Sequence, residues 1–173
     1  IKEQDEWQPD GWKHLEDPRV VKENFKDFSG GTAEAISSIE NVYKWGLFRY
    51  PLKQSWYNDR VILIGDAAHP TLPFLAQGAA MAIEDSFVLA SKIFEFSNSS
   101  VAFKEFRRER FPRVQRVVLA STKNAHIFHL SNIISRRVFQ VSLRFLSKFF
   151  PHLLVKRFNW IYDHNVTNKH YSS

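Results

Sequence analysis

Two short stretches near the middle of this 173-residue chain carry residue types that could do chemistry. Gly65-Asp66 closes the apolar run Val61-Ile62-Leu63-Ile64, and Gln77-Gly78 opens a helical pattern soon after it. An unbroken apolar run ending in glycine reads as a strand buried on both faces of a largely parallel sheet. Ligands of α/β sheets bind at the carboxyl ends of strands, so Gly65 and Asp66 stand where a cofactor would be met. Gly65 would let a ligand approach the backbone closely. The Asp66 carboxylate would repel a phosphate and suit hydroxyl groups, so a sugar or sugar alcohol is the expected neighbour. Taken alone, Asp66 reads first as a local loop cap. The helix opening near Gly78 adds free N–H groups and the positive end of its dipole, which favour negative charge there. Pro70 and Pro73 stiffen the loop between, and the three features together read as one compound site. His126 and His129 sit three apart on a helical stretch, but no third ligand accompanies them, so a surface reading is preferred and no metal site is expected.

These residues need elements to position them. Pro18 to Phe28 has helical spacing with Asp17 as N-cap, and Ser29-Gly30-Gly31 stops it. A second short helix, Thr32 to Ile39, leads into the aromatic, β-branched VYKWGLFRY, which reads as a strand closing at Pro51. WYNDR makes a turn before VILIG. Ala80, Ile83, Phe87, Ala90 and Phe94 then give one apolar face to a helix of roughly 18 residues. Further helices are expected at about Val101 to Leu130, Ile133 to Phe149 and Leu153 to Tyr162, with Pro112 bending the first and Pro151 separating the last two. The expected architecture is one core strand with helical cover.

Composition narrows the class. Apolar residues make up 44% and charged residues 24%, which excludes disordered, collagenous and low-complexity chains. No apolar run approaches the roughly 20 residues that a bilayer span needs. The absence of cysteine removes disulfides, thiolate metal sites and cysteine nucleophiles, suits a reducing compartment, and leaves redox chemistry to a cofactor. Residues 1–40 hold 5 basic and 10 acidic side chains, residues 41–100 hold 5 of each, and residues 101–173 hold 14 and 3. The basic charges lie along amphipathic patterns such as FKEFRRERFPRVQRVV, so a solvated helix face is preferred over a nucleic-acid or membrane surface. The start, IKEQDEWQPDG, has no signal-peptide pattern, and the chain is expected to begin mid-protein.

Gly65-Asp66-Ala67-Ala68-His69-Pro70, then Leu72-Pro73-Phe74-Leu75-Ala76-Gln77-Gly78-Ala79 and Ile83-Glu84-Asp85, resembles the second flavin-binding motif of the FAD-dependent aromatic hydroxylases, particularly their salicylate hydroxylase-like branch. Trp45, Pro51-Leu52, Trp56 to Arg60, Arg107 to Arg116 and Trp160 to Asp163 fit the same pattern more loosely. The resemblance implies an α/β fold class, here the C-terminal portion of a Rossmann-like FAD/NAD(P)-binding fold with a mostly helical C-terminal region. It divides the chain into residues 1–58, the end of a substrate-binding β-sheet and helix region; residues 59–98, the FAD-binding strand-loop-helix; and residues 99–173, the C-terminal helical region. It implies that Asp66 holds the ribityl chain of FAD and that Gly78 and Ala79 place N–H groups near the flavin pyrimidine edge. Gly65, His69, Pro73, Gln77 and Ala80 complete the cofactor-binding set, His69 more as the orienter of the loop than as a base. Pro73 would line the flavin face where oxygen reacts and Gln77 would lie close to the substrate ring, both in catalytic positions and neither a general base.

The implied reaction is monooxygenation: NADH or NADPH reduces FAD, dioxygen forms a flavin C4a-hydroperoxide, and that electrophile hydroxylates a small aromatic ring. A cytoplasmic location is expected. The six glycines at 11, 30, 31, 46, 65 and 78 form no Gly-x-Gly-x-x-Gly turn for the ADP pyrophosphate. The chain therefore resembles the C-terminal part only, expects the missing N-terminal FAD-binding portion as its partner, and is expected to be inactive alone. Two alternatives stay open: a non-catalytic remnant serving as a protein-interaction module, and a peripheral membrane contact by the basic, aromatic stretch Ile133 to Phe158. The membrane contact is the least favoured of the three.

Overall fold

The computed structural model describes residues 11–48, 50–130 and 132–169. The chain forms two compact units, Ile1–Phe48 and Arg49–Ser173. In the first, β1 (Lys13–Glu16) pairs antiparallel with β2 (Val42–Trp45), with Lys13 opposite Trp45 and Glu16 opposite Val42. The Trp12 and Trp45 rings meet edge-on at 4.7 Å, and the Lys13 ammonium lies 3.9 Å from the centre of the Tyr43 ring. Between the strands run α1 (Pro18–Asn24) and α2 (Gly31–Ser37). Asp17 caps α1 as expected, accepting from the Arg19 N–H at 2.8 Å, and Pro18 fills a first-turn position that needs no donor. The strand expected over VYKWGLFRY is only four residues long, and Arg49 within it lies outside the described residues. No described residue of this unit is buried.

The second unit is built on α3 (Gly78–Glu95) and α4 (Ser99–Phe128), joined by a three-residue loop that folds α4 back along α3. Asn98 caps α4 by accepting from the N–H groups of Ser100 and Val101. The helix passes through Pro112 unbroken. Pro112 is exposed, so the carbonyl it leaves unpaired can meet water. Beyond lie α5 (Ile133–Phe149), α6 (Pro151–Lys156) and α7 (Asn159–Tyr162). The core gathers Trp56, Leu75, Met81, Val88, Phe106, Val114, Val117 and Ile161, and the Trp56 ring packs on those of His69, Phe106 and Phe111.

Three expectations are corrected. VILIG forms no strand of a parallel sheet: Asn58 accepts from the N–H groups of Arg60 and Val61, the segment turns back on Trp56-Tyr57, and a single Tyr57–Ile62 bridge results. Val61 and Leu63 are exposed while Ile62 and Ile64 pack on the core, so the run is a half-buried hairpin arm rather than a core strand. The one-strand architecture becomes mainly helical with a two-stranded sheet. Second, the buried stripe of α3 is Met81, Glu84, Asp85 and Val88, roughly 140° round the helix from the expected apolar face. Ile83 is 71% and Phe94 95% exposed. The stripe carries two carboxylates, which hydropathy assigns to water. Third, the last expected helix breaks at Arg157-Phe158 into α6 and α7.

The corrected face has a measurable consequence. Met81→Ala should cost roughly 2–5 kcal/mol in urea denaturation, whereas Ile83→Ala should stay within about 0.5 kcal/mol of wild type. The reverse order would restore the apolar face expected from periodicity.

Candidate functional site

Segment 65–80 forms an outward-facing ledge that is tied down from behind at several points. The deepest tie is Asp85 on α3, fully buried, whose Oδ2 accepts from the Gly65 N–H at 2.9 Å and from His69 Nε2–H at 2.6 Å. Its Oδ1 accepts from Arg110 Nε at 2.7 Å. Arg110, also buried, reaches Glu84 Oε2 at 2.7 Å, and Arg113 grips Glu84 through Nε and Nη2 at 2.8 and 2.7 Å. The Arg113 guanidinium also donates to the carbonyls of Trp160 and Ile161, both at 3.2 Å, which draws α7 into the network. Burial alone would raise the Asp85 carboxyl, but the His69, Gly65 and Arg110 hydrogen bonds outweigh it and hold the group below its ordinary range. Glu84 behaves alike: burial raises it, and the Arg113 and Arg110 partners bring it below its usual value.

Gly65 is required twice over in this arrangement. Its φ is +56°, and an added Cβ would lie 3.1 Å from the Cβ of Ala82 on α3. The close crossing starts a tight turn in which Ala68 and His69 donate to the Gly65 carbonyl. Asp66 and Ala67 are thereby turned outward. The next part of the ledge is pinned through three carbonyls: Leu72 accepts from Ser121 Oγ at 2.6 Å, Phe74 from Asn124 Nδ2 at 3.4 Å and Leu75 from Tyr162 Oη at 3.3 Å. Pro73 begins a single turn ended by Ala76 in the left-handed region, φ 51°.

The expected site residues fall into two groups. Asp66, Pro73 and Ala79 are exposed on the ledge, and Gly78 and Ala80 are half-buried at the opening turn of α3. The Asp66 carboxylate makes no hydrogen bond to a described residue, and its Oδ1 lies 3.9 Å from the point a Gly78 Cβ would occupy. Gln77 precedes α3 without capping it by side chain, so the first N–H groups of the helix stay open. Gly65, His69 and Gln77 are buried, and the His69 imidazole is turned inward onto Asp85, which orients the loop. His126 is exposed, while His129 bonds the Ala125 carbonyl through Nδ1 and meets the Phe74 ring edge-on.

Sequence reasoning left Asp85, Glu84, Arg110 and Arg113 without roles. The signal was present in α4: Arg110 interrupts the buried series Phe103, Phe106, Val114, Val117 at core spacing, and a guanidinium in a core stripe demands a buried carboxylate. Within FKEFRRERFPRVQRVV the solvated-face reading therefore fails at Arg110.

An FAD binding domain family matches residues 4–121. The chain is 36% identical over 126 residues to a 3-amino-4-hydroxybenzoate 2-monooxygenase of Streptomyces platensis, covering 72% of this chain and 32% of that protein. It is 31% identical to a 3-hydroxybenzoate 6-hydroxylase of Polaromonas naphthalenivorans, covering 93% of this chain and 40% of that protein. The fold is similar to that of a salicylate hydroxylase solved as a substrate complex, with a TM-score of 0.76 at 22% identity over 95% of this chain and 39% of that one. The chain spans about a third of the length of the curated relatives it matches first.

The buried network predicts a pH dependence. With both carboxyls depressed in the folded state, the unfolded chain binds more protons in acid, so stability rises with pH there. The network's contribution is complete above the ordinary carboxylate range and is lost as pH falls through about 4 and below. Asp85→Asn should cost roughly 3–5 kcal/mol at neutral pH by leaving Arg110 undercompensated, and should flatten the acid limb of urea midpoint against pH.

Proposed function

The chain belongs to the FAD binding domain family, and from that membership we propose that it forms the part of a longer monooxygenase that holds the ribityl and ring portion of FAD against an aromatic substrate. The observation that carries this reading is the Asp66 carboxylate, exposed and without a partner among the described residues, beside the uncapped start of α3 at a glycine. A carboxylate without a protein donor suits a polyhydroxyl chain. Open N–H groups at a helix start suit an electron-rich ring edge. The residues present therefore fit this half of the cofactor.

FAD, when bound, would supply the acceptance of two electrons from NADH or NADPH and the activation of dioxygen for ring hydroxylation. The protein's own contribution is positioning. Asp66 accepts the ribityl hydroxyls, and the N–H groups of Gly78 and Ala79, with Ala80 behind them, favour negative charge at the pyrimidine edge. Pro73 offers an apolar surface that excludes water from one ring face, and Gln77 borders the substrate side. His69 donates its Nε2–H to Asp85 and fixes the loop that carries Asp66. The relatives are named for benzoates that carry a ring hydroxyl. These names support a hydroxylated aromatic acid as the substrate class. In this reading residues 59–98 belong to a Rossmann-like FAD-binding fold, flanked by a substrate-side region in residues 1–58 and a helical region in residues 99–173.

The test uses the full-length natural protein. Asp66→Ala should weaken FAD binding by roughly 10- to 100-fold, the worth of hydrogen bonds to a charged group, while leaving the urea midpoint unchanged. FAD titration followed by flavin fluorescence reads the affinity. An unchanged affinity removes Asp66 from the site, and a natural protein that takes up no FAD turns the reading toward a non-catalytic interaction module.

A further inference from the structure

We propose that α5 lies in the surface of an anionic phospholipid bilayer, apolar face down and cations at the headgroups. Between Leu130 and Tyr162 the sequence holds six Arg and Lys side chains and no Asp or Glu. Asn132 caps α5 by accepting from the N–H groups of Ile134 and Ser135 at 2.9 and 3.1 Å, so the start of the helix is fixed locally. Along it Ile134, Val138, Val141, Phe145 and Phe149 step by 4, 3, 4 and 4 and form one stripe, each 55–70% exposed. By helical phase Arg136 stands opposite this stripe, Arg137 and Arg144 lie about a quarter-turn to one side of it, and Lys148 lies nearer its edge. A shallow hollow of about 300 Å³ is lined by Arg136, Arg137, Gln140, Val141 and Arg144. Among the described residues none of these three arginines pairs with a carboxylate. Of the described elements, α6 is the one substantially packed against α5, and it adds Leu153 and Val155 to the exposed apolar surface.

Segregated apolar and basic faces on a capped helix are the pattern of an interfacial element. No described helix is long and apolar enough to cross a membrane, so the helix would lie on the surface. Charge selects the occupant. A second copy would bring the same unneutralised cations against these, at a net formal charge of +6 per chain, whereas an anionic surface attracts them and each basic residue near it raises partitioning about fivefold. This inference is independent of the FAD reading and is tested without it.

The experiment is sedimentation of the full-length natural protein with sucrose-loaded vesicles of phosphatidylglycerol and phosphatidylcholine, against vesicles of phosphatidylcholine alone. The protein should pellet with the anionic vesicles at low salt and be released as salt rises. Arg137→Glu/Arg144→Glu should lower partitioning at least about tenfold, and Phe145→Ser should also reduce it, with FAD content unchanged in both. The charge variant leaves the apolar stripe intact, so the test survives a Phe145→Ser chain that folds poorly. Three results would overturn the proposal: protein that stays in the supernatant with anionic vesicles, binding that ignores the charge reversal, or a dimeric solution mass that Phe145→Ser makes monomeric.

Discussion

The Asp85 carboxylate is the fixed point of the second unit. It is fully buried, yet it holds the Gly65 N–H, the His69 imidazole and the Arg110 guanidinium within 2.6–2.9 Å. Taking an ion out of water costs several kcal/mol even after relaxation, and only near-complete hydrogen bonding offsets that cost. Here the compensation comes from both directions in the chain: the ledge supplies two donors and α4 the third. The ledge therefore cannot leave α3, nor α4 slide along it, without stranding a charge. Glu84 and Arg113 extend the same logic to α7, since the guanidinium that neutralises Glu84 also holds the carbonyls of Trp160 and Ile161. Two carboxylates and two guanidiniums balance in this core, which fixes the register of three helices more narrowly than apolar contacts would.

What the network holds in place is a stretch of chain on which Asp66, Pro73 and Ala79 are exposed. Gly65 turns at positive φ against Ala82, so the next residue, Asp66, faces outward. Ser121, Asn124 and Tyr162 occupy carbonyls of the following turn. A site assembled before its ligand arrives loses less conformational entropy on binding. Burial follows the same line: His69 and Asp85, which have partners, are inside, and Asp66, whose carboxylate has none among the described residues, is outside.

The sequence was most legible where local chemistry decides the outcome. Asp17 before Pro18, Gly78 and the run from Ile133 to Phe149 marked helix boundaries that α1, α3 and α5 keep, because caps and breakers act within one turn. Legibility failed where partners lie far apart in sequence. Hydropathy placed Glu84 and Asp85 in water, and only Arg110 and Arg113, more than twenty residues on, explain their burial. VILIG has the composition of a core strand, yet pairing needs a neighbour, and the Asn58 turn supplies one at short range and antiparallel.

The same distinction between neutralised and unneutralised charge resolves the basic excess of residues 101–173. Its first share belongs to the fold: Arg110 and Arg113 neutralise buried carboxylates, Arg108 pairs with Glu105, Arg107 binds Gln54, and Arg116 lies 3.8 Å from the centre of the Trp160 ring. A cation in such a place is fixed by the interior, and its sign says nothing about partners. The second share, on α5, has no such role: among the described residues its arginines pair with no carboxylate, and no buried residue lies on their helix. Arg110 and Arg113 of α4 answer the acidic buried face of α3, whereas the charge of α5 has no counterpart in the described chain. Charge of that second kind is available to attract something outside the molecule, and its place beside an exposed apolar stripe gives the attraction a direction.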